Sequence, residues 1–277
     1  MKSRSAALVA ALCFSLLILL LLISSANLFY YRCVPPRDFQ RGDPLDVQVK
    51  KLSSLWEVIR GDHIQNSMNS MYTFNMMEEH PCKVLGRAER LGAEFANSFK
   101  EKIRDGHRVN LILDNLPVVE RHSWDGTKST TTYTQGFPVG FTATYAGSKE
   151  VKYFIYNHLS FRVMFHKHLA NDSAQIVGFE VTPYSINHQY IYKDYKKLMI
   201  ITCGEQTKYI IRSGSVGPQE VDAHKLIILT YDVTFVESDI KGESRWDHLT
   251  KNTLQSKTPM SIQLSKSVQA VVNVAWP

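Results

Sequence analysis

The chain has 277 residues, 44% of them apolar and 21% charged, with 14 glycines and 10 prolines, the composition of a globular protein with its own core. That excludes a disordered chain and a miniprotein that depends on staples. The formal net charge of +6 is mild and dispersed, which excludes a nucleic-acid binder held by a basic face.

Lys2 and Arg4 precede an apolar run from Ala6 to Ile23 that only Ser15 interrupts, and Ser24-Ser25-Ala26 follow. A charged start, an apolar stretch and small residues before a cut after Ala26 describe a secretory signal over 1–26. The same run is long enough to remain in the bilayer as an N-terminal anchor, so both fates stay open. In either, the rest of the chain is expected on the luminal side. No later stretch approaches a membrane span; the strongest, Leu226 to Thr230, has strand length.

The lumen is oxidising, and cysteine placement has consequences there. Cys13 falls in the leader, which leaves Cys33, Cys82 and Cys203 as candidates for a disulfide or a free thiol. Three thiols cannot all pair internally, so at least one unpaired thiol per monomer is expected. Asn171-Asp172-Ser173 is an N-glycosylation sequon, and its position after His166-Lys167-His168 suits a loop with a glycan on Asn171.

Pro35-Pro36 and Gly42-Asp43-Pro44 are turn signals, and Leu45 to Val49 alternates as a strand. Between Arg87 and Arg104, Leu91, Phe95, Phe99 and Ile103 recur every fourth residue among charges, which predicts an amphipathic helix stopped by Gly106. Beyond it the period falls to two. Val109, Leu111 and Leu113 alternate; so do Leu159, Phe161, Val163 and Phe165, with His158, Ser160, Arg162 and His166 opposite. Val177, Phe179 and Val181 repeat the pattern, as do Ile227, Leu229, Tyr231, Val233 and Phe235, with Thr230, Asp232 and Thr234 opposite. Short punctuated strands with one helix predict a mainly β fold, an antiparallel β-sandwich-like domain carrying one amphipathic helix. After Asp247 the chain turns Ser/Thr/Lys/Gln-rich and offers one weak strand, Val268 to Val274. The expected division is leader 1–26, luminal domain 27–248 and a divergent polar tail 249–277.

Signatures of catalysis are missing from the sequence: no H-E-x-x-H, no G-x-S-x-G elbow, no phosphate-binding glycine loop. Gly214-Ser215-Val216-Gly217 reads as a turn. His166 and His168 share a strand face, but with no thiol or carboxylate in the same pattern a solvated face explains them better than a metal site. Glu79-His80-Pro81-Cys82 reads as a turn entering a strand, and Arg60-Gly61-Asp62 as a turn rather than an adhesion tripeptide. No enzyme, cofactor or metal is expected.

Longer phrases succeed one another in order. They are Val34-Pro35-Pro36-Arg37-Asp38-Phe39-Gln40-Arg41-Gly42-Asp43-Pro44, Gly61-Asp62, Val109-Asn110-Leu111-Ile112-Leu113-Asp114-Asn115-Leu116-Pro117, Gly136-Phe137-Pro138-Val139-Gly140-Phe141, Ile176-Val177-Gly178-Phe179-Glu180-Val181, and Tyr231-Asp232-Val233-Thr234-Phe235-Val236-Glu237 with Ser244-Arg245-Trp246-Asp247. Together they resemble the luminal N-terminal domain of the transmembrane-9 superfamily, the nonaspanin or endomembrane protein 70 family. The resemblance implies a Golgi and endosomal membrane protein that sorts and localises other membrane proteins. Its implied partners are membrane-protein cargo and the endomembrane bilayer, with no catalytic residues and no cofactor to transfer. Family chains continue past the Arg-Trp-Asp phrase into nine membrane spans, and this chain is expected to be truncated before them. The residues alone also allow a secreted sandwich that binds carbohydrate or another extracellular ligand through Trp124, Tyr133, Tyr153, Tyr156 and Tyr184.

Overall fold

A computed structural model describes residues 35–50, 68–124, 130–144, 149–168, 172–194 and 197–247. The elements below lie in the unit Arg37–Pro277. In chain order they are strands β1 (Asp38–Phe39), β2 (Pro44–Lys50), β3 (Met68–Asn75) and β4 (His80–Arg90), helix α1 (Ala93–Arg104), and strands β5 (Arg108–Leu113), β6 (Leu116–Pro117), β7 (Val119–Trp124), β8 (Thr130–Gln135), β9 (Phe137–Pro138), β10 (Gly140–Thr144) and β11 (Val151–Ile155). Then come β12 (His158–Lys167), β13 (Ala174–Tyr184), β14 (Tyr190–Asp194), β15 (Lys197–Ile200), helix α2 (Thr207–Ser213), β16 (Leu226–Glu237) and a 3-10 turn at Gly242–Ser244.

The protein is mainly β, and two sheets share one core. The larger runs β4-β16-β12-β13-β7-β8 with β1 added on β13; the smaller runs β3-β2-β5-β6 with β9 on β5. Alternation explains the inner faces. Leu159, Phe161, Val163 and Phe165 of β12 meet Leu45, Val47, Phe74, Leu111 and Leu113 of the smaller sheet, with Phe74 and Phe161 ring centroids 5.1 Å apart. Most ladders are antiparallel, but β12 pairs parallel with β16, and β13 with β7. The topology explains the first of these. β12 and β13 form an antiparallel pair, the connection 185–225 leaves β13 at the end of the sheet where β12 starts, and β16 re-enters at that same end.

Two details depart from simple periodicity. In β13 the register shifts opposite Met164 and Phe165, making Val177 an extra residue, so Ile176 joins Phe179 and Val181 in the main cluster while Val177, also fully buried, lies outside it. Around α1, β4 continues to Arg90 and the helix begins only at Ala93. Its buried residues are Ala96 and Ile103, Phe99 is half-buried, and Phe95 is left in solvent. A repeat of four advances about 40° per step on a helix of 3.6 residues per turn, so a stripe spaced that way cannot all stay on one face. Gly106 ends the helix in the left-handed region at φ 67°.

Helix α1 packs on the β10–β11 hairpin at Gly140. A Cβ there would lie 2.1 Å from the Phe154 carbonyl oxygen and 2.8 Å from Ile103 Cδ1. Gly140→Ala is therefore expected to cost about 1–3 kcal/mol, as overpacking does, read as a lower urea midpoint at unchanged slope. A midpoint equal to that of the unaltered chain would contradict the packing.

Among the described residues no helix is long and apolar enough to cross a membrane. The leader 1–26, Cys33, Arg60-Gly61-Asp62, Asn171 and the tail 249–277 lie outside the described residues.

Candidate functional site

The face of the larger sheet turned away from the core carries the polar half of the alternation. Parallel register sets His158 beside Thr230, Ser160 beside Asp232 and Arg162 beside Thr234. A half-buried strand pair would show such residues to water, yet His158 and Asp232 are 0% exposed and Thr230 1%. The connection from β13 to β16 covers them. Asn157 clamps it in place, its Nδ2 donating to the carbonyls of Ile186 and Ile228 and its Oδ1 accepting from the Ile186 amide. His188 and Thr202 of that connection are then buried over the sheet.

What results is one hydrogen-bonded chain. Thr202 Oγ1 lies 2.7 Å from His188 Nδ1, His188 Nε2 lies 2.8 Å from Thr230 Oγ1, and Thr230 Oγ1 lies 2.8 Å from His158 Nδ1. His158 Nε2 lies 3.0 Å from Asp232 Oδ2, and Ser160 donates to Asp232 Oδ1 at 2.8 Å. With Asp232 as the acceptor, one consistent set of donors runs along the chain. His158 Nε2–H donates to Asp232, Thr230 donates to His158 Nδ1, His188 Nε2–H donates to Thr230, and Thr202 donates to His188 Nδ1 while accepting from the Gln189 amide. In that arrangement every one of these groups has a partner.

Serine, histidine and aspartate in contact invite comparison with a nucleophilic triad, and the order is wrong for one. Ser160 donates to the carboxylate and not to an imidazole, so the serine–histidine contact of such a triad is not formed. The cluster is built to hold the covering segment on the sheet.

Burial, and secondarily the neighbouring His158, pushes His188 down to about 4 from an ordinary 6.5. A histidine lowered on folding is neutral in both states above pH 6.5, so its cost appears only as pH falls. Between about 6.5 and 4 the unfolded chain takes the proton first, and stability should drop by about 3 kcal/mol before levelling off. Unfolding curves across that range should show the slope in the unaltered chain and lose it in His188→Gln; equal slopes would reject the assignment.

Above Asp232 opens a pocket of about 170 Å³ lined by Ser160, Tyr184, Lys208, Ile211, Arg212 and Asp232. Helix α2 supplies three of these residues and was not foreseen: Gly214-Ser215-Val216-Gly217 reads as a turn, and Gly214 is indeed the left-handed cap that ends α2 at φ 62°. A disulfide between Cys82 on β4 and Cys203, just before α2, ties this segment to the sheet edge.

The other candidates are scattered. His166 Nδ1 donates to the Ser238 carbonyl at 2.9 Å, and His168 faces Asp38 at 3.6 Å. Among the described residues no group of three or more His, Cys, Asp or Glu could hold a metal ion. Of the aromatic candidates, Tyr133 packs on the sandwich core, Tyr153 on the α1 cluster, and Tyr184 lines the pocket. Burial raises the Tyr156 hydroxyl above its ordinary range.

A second buried cluster joins two of the long phrases. Asp114 and Asn115 make the turn between β5 and β6 with φ of 45° and 63°, a conformation these two residue types tolerate best after glycine. Arg245 Nη1 donates to Asp114 Oδ2 at 2.7 Å and to the Ile176 carbonyl at 3.2 Å, and both charged side chains are 1% exposed. Arg245 thereby bridges the smaller sheet to β13 of the larger. Nothing in local periodicity marks that pairing, which spans 131 residues.

The family model described as Endomembrane protein 70 matches residues 27–276, taking in most of the segment expected to be a divergent tail. Transmembrane 9 superfamily member 8 of Arabidopsis thaliana is 44% identical over 262 residues, covering 85% of this chain and 40% of that protein. Member 9 of the same plant is 44% identical over 259 residues, covering 83% and 39%, and member 4 of Mus musculus is 30% identical over 286 residues, covering 86% and 42%. No solved structure matches the chain. The chain thus spans about two fifths of the length of these curated relatives. With the model matching most of its length, the chain belongs to the endomembrane protein 70 family, whose curated members are named transmembrane 9 superfamily proteins.

Proposed function

We propose that this chain is a non-enzymatic luminal domain of an endomembrane protein that helps sort or localise other membrane proteins, with membrane-protein cargo as its partner. Family membership carries the proposal. Two features support it. The buried polar cluster is spent on its own hydrogen bonds and sets Ser160 against the carboxylate rather than an imidazole, which fits a binding role better than a reaction. The family match begins at residue 27, directly after the small residues that end the apolar leader, which fits delivery to the lumen of the Golgi and endosomes.

The test uses the full chain with a C-terminal tag in a secretory cell. Protection from added protease until detergent is supplied is expected, with a glycosidase-sensitive mobility shift that Asn171→Gln abolishes. Surface biotinylation should show at least one membrane protein whose surface level changes with expression of the chain and which co-isolates with it. Protease sensitivity without detergent would reject the luminal placement. A protected chain with an unchanged surface proteome would reject the sorting role.

A further inference from the structure

The β14–β15 hairpin, closed at its base by the buried His188 and Thr202, stands apart from both large sheets and, among the described residues, pairs with no third strand. Tyr190, Ile191, Tyr192, Met199 and Ile201 are 37% to 65% exposed and make up half of all the large apolar side chains exposed among the described residues. Register puts Ile191 opposite Met199, and Tyr190 and Tyr192 opposite Ile200 and Leu198. Cross-strand partners share a face, so both faces of the ribbon are apolar. A hairpin that merely packed on the domain would show water a polar outer face, and an isolated two-stranded ribbon is at best marginal by itself.

We propose that this hairpin is a membrane-contacting tip that seats at the headgroup level of a bilayer containing anionic lipid. The composition separates a bilayer from a protein partner. From Tyr190 to Ser213 the sequence carries Lys193, Lys196, Lys197, Lys208 and Arg212 against Asp194 and Glu205. Lysine is depleted at the centre of protein interfaces, whereas tyrosines among aliphatics with flanking lysines are what settles at a membrane interface. The tyrosines keep their hydroxyls in the headgroup layer, Ile191 and Met199 reach the acyl boundary, and the net positive charge of this stretch of sequence favours anionic lipid. Tyr190 and Tyr192 also brace each other edge to face, with ring centroids 5.9 Å apart. The base is rigid: the Ile201 amide bonds the Gln189 carbonyl, and Cys203 is covalently tied to β4. A pre-ordered tip loses little freedom on docking.

Fluorescence of the full chain on vesicles with brominated acyl chains tests this, using about 3:1 phosphatidylcholine to phosphatidylserine as the anionic surface. The indole introduced by Ile191→Trp is expected to be quenched at least about twofold, and the one introduced by Phe95→Trp on α1 to be unaffected, since a shallow tip reaches lipid and a distant helix does not. Both variants carry the same leader, so leader insertion alone cannot produce the difference. Raising salt or omitting phosphatidylserine should weaken the quenching. In parallel, Ile191→Ser/Tyr192→Ser/Met199→Ser should bind the same vesicles at least about tenfold more weakly at an unchanged melting temperature. Absent quenching, equal quenching at both positions, or undiminished binding by the triple variant would overturn the proposal. So would lipid-free self-association of the unaltered chain that the triple variant abolishes, since the tip would then be a contact between copies.

Discussion

Arg245→Met is expected to destabilise the domain by about 3–5 kcal/mol, because it strands the Asp114 carboxylate in the interior without its counter-charge. The loss is not only Coulombic. Arg245 Nη1 is the short donor to Asp114 Oδ2, and among the described residues Asp114 Oδ1 already has no hydrogen-bond partner, so the substitution leaves the carboxylate with only the long contact from the Arg37 amide at 3.4 Å. The turn at Asp114 and Asn115, held in left-handed backbone, would lose its tie to β13 at the Ile176 carbonyl. Asp114→Asn in the same chain should recover part of the loss, since a neutral amide is far cheaper to bury than an unpaired carboxylate. The double-variant cycle by guanidinium unfolding reads the coupling directly. An Arg245→Met chain within about 1 kcal/mol of the unaltered one would mean that the pair is solvated, as surface pairs are.

That pair illustrates which parts of the fold local sequence can reveal. Inner-face strands are legible because a period of two needs only neighbours: Leu159 to Phe165 and Leu111 to Leu113 all reach the core. Helix α1 is legible from its spacing and from Gly106, although its burial is centred on Ala96 and Ile103 and excludes Phe95. Legibility ends where distant segments decide. His158 and Asp232 read as the solvated half of an alternation, and only the arrival of His188 and Thr202 from another part of the chain buries them. The parallel β12–β16 ladder, like the Cys82–Cys203 bond, follows from where the connection re-enters, which periodicity does not encode. Helix α2 has seven residues, too few for an apolar period to stand out, and its one clear mark was the capping Gly214. As for the candidate site, its residues stood in the Tyr231-Asp232 phrase and the His158-to-His166 alternation, but their contacts did not.

Removing the disulfide with Cys82→Ser/Cys203→Ser is expected to cost about 2–5 kcal/mol. The bond joins residues 121 apart in sequence, and closing a loop of that length lowers the entropy of the unfolded chain by about 5 kcal/mol in the chain-entropy description. Its position adds a local consequence. β4 is the edge strand of the larger sheet, beside β16, and Cys203 follows the base of the β14–β15 hairpin and precedes α2. Without the bond, the segment over His158 and Asp232 is held by the Asn157 clamp, the Thr202–His188–Thr230 chain and, at its far end, the bonds of Gln219 and Val221 to β11. Around Cys203 those ties are few, so the segment should open well before the sandwich does. Hydrogen exchange of the double variant is expected to accelerate most in residues 185–221, with β12 and β13 shifted only by the global loss. A uniform shift across the domain would mean that the bond acts through the unfolded chain alone, and exchange in 185–221 as slow as in the unaltered chain would mean that the polar cluster suffices to hold the cover closed.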